Sequence, residues 1–135
     1  MKEITVEATD NNLSKVLSFI DEILEETCVS LRVRMQIEVA VEEIFVNIAH
    51  YAYAPDTGTA RIQAVTASDP KSVSITFIDS GKPYDPLSKA DPDVTLSAEK
   101  RDIGGLGIYM VKKSMDSLKY EYLDGHNVFT ITKML

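Results

Sequence analysis

Two pairs of alternating apolar and polar segments constrain the fold of this chain most. The pairs are 59–67 with 71–78 and 118–123 with 127–134. Ser68-Asp69-Pro70 connects the two segments of the first pair, and Asp124-Gly125 connects those of the second. Such short turns connect antiparallel neighbouring strands. Alternation is typical of strands that bury one face. With a further alternating stretch at residues 4–8, the sequence predicts a mainly antiparallel sheet of five strands.

Residues with helical periodicity follow the first predicted strand, and a second such stretch lies near the end of the chain. Asp10 or Asn11 is the predicted cap of the first helix, and Ser30 caps a longer second helix that runs to about Ala52. A third, apolar helix starts at Ile108. This order predicts an α+β fold, a two-layer sandwich whose mixed, mainly antiparallel sheet is covered on one face by helices.

Length, charge and cysteine content narrow the class of protein. A chain of 135 residues suits one domain, predicted over 1–135. Its net charge is −7 without a basic stripe, so no direct nucleic-acid contact is expected. No apolar run approaches the ~18 residues of a membrane span, and the polar N-terminus is unlike a signal peptide. The single Cys28 fits a reducing compartment, so we expect a cytoplasmic protein.

The second helix carries an acid and an amide one turn apart. At about 100° per residue, its apolar stripe covers an arc of roughly 100°. The stripe comprises Val33, Ile37, Ala40, Val41, Ile44 and Ile48. Glu43 and Asn47 lie beside this arc, and Val39 and Val46 flank them on the other side. A carboxylate between apolar positions is expected to line a cleft or to have a partner.

Two more motifs follow the central strands. Asp79 ends an alternating run, and Gly81 follows two residues later. An acid at a strand end can accept a hydrogen bond from an exocyclic amine such as that of adenine, and a glycine lets the backbone approach a flat ring. Gly104-Gly105-Leu106-Gly107 opens the third helix, where free N–H groups and the helix dipole suit phosphate.

Each motif also has a purely structural interpretation. Glu43 then belongs to an exposed acidic surface with Glu38 and Glu42, Asp79 forms an Asx turn, and the glycines form a flexible helix entry. Other glycine motifs do not fit. A Walker A loop needs Gly-Lys-Ser/Thr, which the sequence lacks, and a dinucleotide fingerprint needs a glycine where Met110 stands. The elements of a eukaryotic-type protein kinase are also missing.

Together and in this order, the three motifs resemble a known family. EIFVNIAHYAY (43–53), FIDSGKPYDP (77–86) and GGLGIYMVKKSMD (104–116) resemble the N, G1 and G2 boxes of the GHKL ATPases, which have the Bergerat fold. The box spacing and the endings MDSLKYEY and NVFTITKML are most similar to the bacterial anti-sigma-factor serine/threonine kinases. The resemblance covers about residues 3 to 135.

The resemblance implies a role for each matched residue, with ATP and Mg²⁺ as cofactors. Asn47 would hold Mg²⁺, and Glu43 would be the general base toward the incoming hydroxyl or orient a water. Asp79 would bind the adenine amine with Gly81 beside the ring. The end of the ATP lid would be formed by Gly104, Gly105, Leu106 and Gly107. The rest of the lid, from Leu87 to Arg101, matches no pattern, so its contacts stay open.

The resemblance also implies the partners. Such kinases hold an alternative sigma factor and phosphorylate a serine or threonine of an anti-anti-sigma protein, often as homodimers. Arg32, Arg34 and the exposed side of the first helix are hypothetical partner contacts. His50 and His126 are not expected to accept phosphate, because the phosphoacceptor module of histidine kinases is absent from the sequence. The alternatives are a nucleotide-gated module that sequesters a partner without phosphorylating it, and an interaction domain with coincidental motifs.

Overall fold

The computed structural model describes residues 1–88 and 105–135. Within these ranges the elements follow the predicted order of a strand, two helices, two strands, a helix and two strands. They are β1 (Lys2–Glu7), α1 (Leu13–Glu25), α2 (Leu31–Asn47), β2 (Thr59–Ser68), β3 (Lys71–Asp79), α3 (Gly105–Ser114), β4 (Ser117–Leu123) and β5 (His126–Met134). The predicted α+β class is confirmed.

The five strands form one sheet in the order β1-β2-β3-β5-β4. Each of these neighbouring pairs is antiparallel, so the sheet is less mixed than the sequence predicted. Both predicted hairpins form. Asp124 and Gly125 have φ values of 51° and 80°, and two positive φ angles match the twist of a two-residue hairpin link.

The two faces of the sheet have different chemistry. The buried core contains inward side chains of the three central strands, among them Ile62, Ile75, Phe77, Phe129 and Ile131. These pack in one cluster with apolar residues of the helices. On the other face the hydroxyls of Ser74 and Thr132, and those of Thr76 and Thr130, are hydrogen-bonded across β3 and β5 at 3.0 Å. Helices therefore cover one face, as predicted.

Helix α2 is the central helix of the second layer. Its predicted cap is confirmed, since the Val33 N–H donates to Ser30 Oγ at 3.2 Å. The predicted stripe is buried, except that Val33 is half-buried, and the stripe also includes Phe45, which the sequence analysis missed. The helix continues to Ala52 as predicted, but its last turn, Ile48–Ala52, is π-helical. Such turns are often found at functional sites.

The start of α1 differs from the prediction. Asp10–Asn12 form a 3₁₀ turn, and the cap position falls on Asn12, whose side-chain amide donates to the Glu7 carbonyl oxygen at 2.8 Å. The Asp10 carboxylate instead lies 2.8 Å from Nε2 of His50. This hydrogen-bond contact joins the start of the first helical segment to the π-helical turn, 40 residues later.

Arg34 forms ion pairs with acidic side chains of both long helices. Its guanidinium lies 3.4 Å from Asp21 and Glu38 and 3.5 Å from Glu25. A hydrogen bond with Asp21, together with burial, raises the pKa of Glu38. Glu38 is thus not the freely exposed acid that the sequence predicted, and Arg34 is already engaged by carboxylates, which weakens its case as a partner contact.

No helix in the described part of the chain is both long and apolar enough to cross a membrane.

Candidate nucleotide-binding site

A cavity of about 490 Å³ opens between the helical layer and the sheet. Its volume lies within the range of roughly 300–1,000 Å³ that is usual for small-molecule sites. It is lined by Ile44, Asn47, Ile48, Tyr51, Ala52, Phe77, Asp79, Lys82, Pro83, Tyr84, Pro86, Ile108, Tyr120, Asn127 and Phe129. Two predicted ligand-binding residues, Asn47 and Asp79, therefore face one apolar cavity with a few polar groups.

Glu43 and Asn47 form the acid–amide pair at the end of α2. The Asn47 Nδ2 donates to Glu43 Oε1 at 3.2 Å, and both side chains are half-buried. Glu43 does not itself line the cavity but is adjacent to it through this bond. Of the two apolar residues predicted to flank the pair, Val39 is 55% exposed and Val46 is half-buried.

The first turn of α3 lies against Glu43. A Cβ added to Gly107 would overlap the Glu43 carboxylate. Glycine at this position therefore leaves space for the carboxylate. Gly105 begins α3 and Leu106 follows it, three residues before the predicted start, while Gly104 lies outside the described residues. The second and third motifs of the predicted site thus lie on elements that meet the first.

The predicted lid falls mostly outside the described residues. Of the segment from Leu87 to Arg101, the structure describes Leu87 and Ser88 only. The Asp85 carboxylate accepts from the Leu87 N–H at 2.8 Å in this part of the chain.

Asp79 lies at the end of β3 and is only 6% exposed. Its Oδ1 accepts from the Gly81 N–H and from the side-chain amide of Asn127, each at 2.9 Å. Within residues 1–88 and 105–135, Oδ2 has no hydrogen-bond donor. One carboxylate oxygen is thus held by the protein, and the other remains free to accept from a bound molecule.

The loop after β3 is held on the π-helical turn by its backbone. The Ser80 N–H donates to the Tyr53 hydroxyl at 2.7 Å, and the Lys82 N–H donates to the Ala52 carbonyl at 2.9 Å. A Cβ on Gly81 would overlap the same carbonyl group. Glycine was predicted here for close approach to a flat ring; the close approach that the structure describes is to Ala52.

Asn127 and Tyr120 belong to the site, although the sequence analysis did not select them. Asn127 pairs with Asp79 in the β3–β5 register and is 6% exposed. The Tyr120 hydroxyl donates to Asn127 Oδ1. Burial raises the pKa of Tyr120, which keeps this donor protonated. The missed signal is the inward series Asn127, Phe129 and Ile131, where a polar residue occupies an apolar position.

Residues 6–133 match the family described as the histidine kinase-like ATPase domain. This chain belongs to that family. The match includes all three motifs, the whole of β2, β3 and β4, the last two residues of β1 and all of β5 except Met134.

Two known proteins are similar to this histidine kinase-like ATPase domain. The serine/threonine-protein kinase BtrW of Bordetella bronchiseptica is 28% identical over 130 residues, which cover 96% of this chain and 89% of that protein. The crystal structure of the RsbU and RsbW domains of Rv1364c from Mycobacterium tuberculosis superposes with a TM-score of 0.68 at 19% identity. That match covers the whole of this chain and 33% of the other. The second similarity confirms the fold.

A domain of this family binds ATP, and the side chains in the cavity fit that ligand. The free Oδ2 of Asp79 can accept from the adenine amine. Among the described residues no group of three or more His, Cys, Asp or Glu side chains could hold a metal ion by itself. Mg²⁺ is usually held by one or two protein oxygens together with phosphates and water. Asn47, which lines the cavity, has a side-chain amide oxygen of this kind.

Proposed function

We propose that this chain is an ATP-dependent serine/threonine kinase that phosphorylates an anti-anti-sigma protein and holds an alternative sigma factor. Membership of the ATPase family and the similarity to a serine/threonine kinase support the proposal. The observation that carries it is the position of Glu43, whose carboxylate lies between the Asn47 amide and Gly107 at the start of α3. An acid at this position favours phosphoryl transfer over sequestration of a partner alone.

The proposed nucleotide position follows from the polar ends of the cavity. Asp79 receives the adenine amine at the β3 end, and apolar side chains of the cavity wall cover the ring. The phosphates then extend toward Asn47 and the start of α3. The N–H groups of a helix start carry partial positive charge, which stabilises phosphate. Gly104, Gly105, Leu106 and Gly107 are proposed to complete this phosphate-binding end.

Glu43 is proposed to remove the proton from the acceptor hydroxyl. The freed oxygen bonds to the γ-phosphorus as the bond to ADP breaks, and the proton passes to the carboxylate. The Asn47 amide holds the carboxylate by its hydrogen bond at 3.2 Å, which limits its rotation. Mg²⁺, when bound, neutralises charge on the phosphates. The half-exposed position of Glu43 allows a protein hydroxyl to approach from solvent.

The wider biological setting is part of the same proposal. Residues 1–135 are proposed to act as one cytoplasmic domain that regulates transcription through its partners and can pair with a second copy. Arg32 and the exposed side of α1 remain the hypothetical partner contacts. Arg32 is exposed, whereas Arg34 is paired with three acids.

Transfer of labelled phosphate tests the kinase proposal directly. The protein is incubated with γ-labelled ATP, Mg²⁺ and small single-domain proteins encoded beside it, and labelled residues are identified by mass spectrometry. We expect label on one serine or threonine of one such protein. If calorimetry detects ATP binding and none of these proteins is labelled, the kinase proposal is wrong and the nucleotide-gated sequestering module replaces it.

Asn47→Ala is expected to weaken ATP binding only when Mg²⁺ is present. Removing a metal-ligating oxygen should lower the affinity about tenfold, or ~1.4 kcal/mol, in Mg²⁺ buffer and change it little in EDTA. Calorimetric titration in both buffers measures the difference. Asn47→Asp keeps an oxygen at the same place and serves as the matched control. An equal loss in both buffers would show that Asn47 does not act through the metal.

A further inference from the structure

The side-chain amide of Asn127 uses its full hydrogen-bonding capacity inside the site. Its Nδ2 donates to Asp79 Oδ1 at 2.9 Å and to the Lys82 carbonyl oxygen at 2.8 Å. Its Oδ1 accepts from the Tyr84 N–H at 3.1 Å and from the Tyr120 hydroxyl. An amide has two donor hydrogens and two acceptor lone pairs, so all four are occupied. A buried amide bonded in this way has one orientation.

The fixed amide also fixes the carboxylate of Asp79. Both N–H groups that contact Asp79 do so at Oδ1, which leaves Oδ2 as the oxygen presented to a ligand. A carboxylate in its ionised form can only accept hydrogen bonds. The position of that acceptor therefore depends on Asn127 of β5, a residue outside the three motifs.

The same amide holds the loop that borders the cavity. Lys82 and Tyr84 both line the cavity, and Asn127 bonds the carbonyl of the first and the N–H of the second. Asn127 therefore fixes the distance between Asp79, at the end of β3, and the loop residues Lys82 and Tyr84. A base bound between Asp79 and the loop therefore meets a single acceptor, Asp79 Oδ2, in a fixed position.

We infer that Asn127 is a positioning residue that sets the nucleobase specificity of this site, by fixing Asp79 as an acceptor for an amine. The inference rests on the proposed position of adenine at Asp79. A purine with an amine at its C6 position donates to Oδ2. A purine with a carbonyl there, as in hypoxanthine or guanine, brings two acceptors together and is rejected. A site that leaves buried polar groups unpaired discriminates strongly against the wrong ligand.

Affinity measurements with ATP and inosine triphosphate test the inference, because the two differ at C6 by amine against carbonyl. The wild-type protein is expected to prefer ATP by at least about tenfold, the usual size of a charge-assisted hydrogen bond. In Asn127→Ala the Asp79 carboxylate can turn, so ATP affinity should fall about tenfold while inosine triphosphate affinity changes little. The preference is then largely lost.

A second variant covers the possibility that alanine disturbs folding. Asn127→Leu has a similar size and removes both N–H donors, without placing a second acid beside Asp79. It should lose the preference for ATP in the same way. Thr130→Ala is the matched control, because Thr130 lies on β5 with its hydroxyl on the other face of the sheet. Its preference should equal that of the wild-type protein.

The outcomes separate a positioning role from a structural one. If either Asn127 variant loses affinity for both nucleotides by the same factor, the residue only supports the fold and the inference is wrong. It is equally wrong if the preference survives in both variants. If the wild-type protein binds neither nucleotide, the proposed function itself is wrong. This outcome is distinct from any result obtained with the Asn127 variants.

Discussion

Glu43→Ala is expected to lower the rate of phosphoryl transfer by ~10²–10⁴-fold, the usual contribution of a general base. ATP affinity should stay close to that of the wild-type protein, because Glu43 does not line the cavity that is proposed to hold the nucleotide. Single-turnover transfer of labelled phosphate to the partner measures the rate, and calorimetry measures the affinity. A loss of transfer with retained binding is the signature of a group that acts on the reacting hydroxyl.

The adjacent acid provides a matched control for this substitution. Glu42 has the same side chain on the same helix but is exposed, so Glu42→Ala should transfer phosphate at the wild-type rate. Glu43→Gln keeps an oxygen that can accept from the Asn47 amide and removes only the basic carboxylate. It should be nearly as slow as the alanine variant. Wild-type-like transfer by Glu43→Gln would refute the assignment of the base.

Asp79→Ala is expected to lower ATP affinity at least tenfold. A hydrogen bond from the adenine amine to a carboxylate is worth about 1.5–3 kcal/mol, which corresponds to roughly 10–150-fold in affinity. The substitution also leaves the Gly81 N–H and one of the two N–H groups of the Asn127 amide without an acceptor in a buried place. Both effects act in the same direction, since an unpaired buried donor also destabilises the site.

Calorimetric titration of ATP distinguishes these two contributions. Asp79→Asn keeps an oxygen for the buried donors but removes the charge, so it should lose less affinity than the alanine variant. Asp56→Ala is the control, because Asp56 is exposed in the link before β2. ATP affinity equal to that of the wild-type protein in Asp79→Ala would mean that the adenine binds elsewhere.

Most of the fold was predictable because its signals are local. Alternation between Thr59 and Ile78 predicted two strands, and the turn residues between them predicted their antiparallel pairing. Ser30 identified the start of α2 because a cap acts within one helical turn, and its contact with Val33 is confirmed. The family of the chain was likewise predictable from the three motifs, and the match to residues 6–133 confirms it.

The features that the sequence analysis missed depend on contacts between distant residues. Phe45 lies outside the predicted apolar arc, but its ring is fully buried in the core. Arg34 looked free until the fold brought Asp21 of α1 beside it. Asn127 is 48 residues from Asp79, and only the β3–β5 register places them together. Local spacing cannot reveal such partners. The roles assigned to Glu43 and the other motif residues stay predictions.

Glycine at position 107 restricts which substitutions related proteins with this fold can accept at this position and at position 43. With the Glu43 carboxylate in its present position, no Cβ fits between it and helix α3 at position 107. Related sequences that lack glycine here must turn the acid to another rotamer, displace the third helix outward or do without an acid on α2. The two positions should therefore change together in evolution, and a descendant that has lost one should tolerate loss of the other.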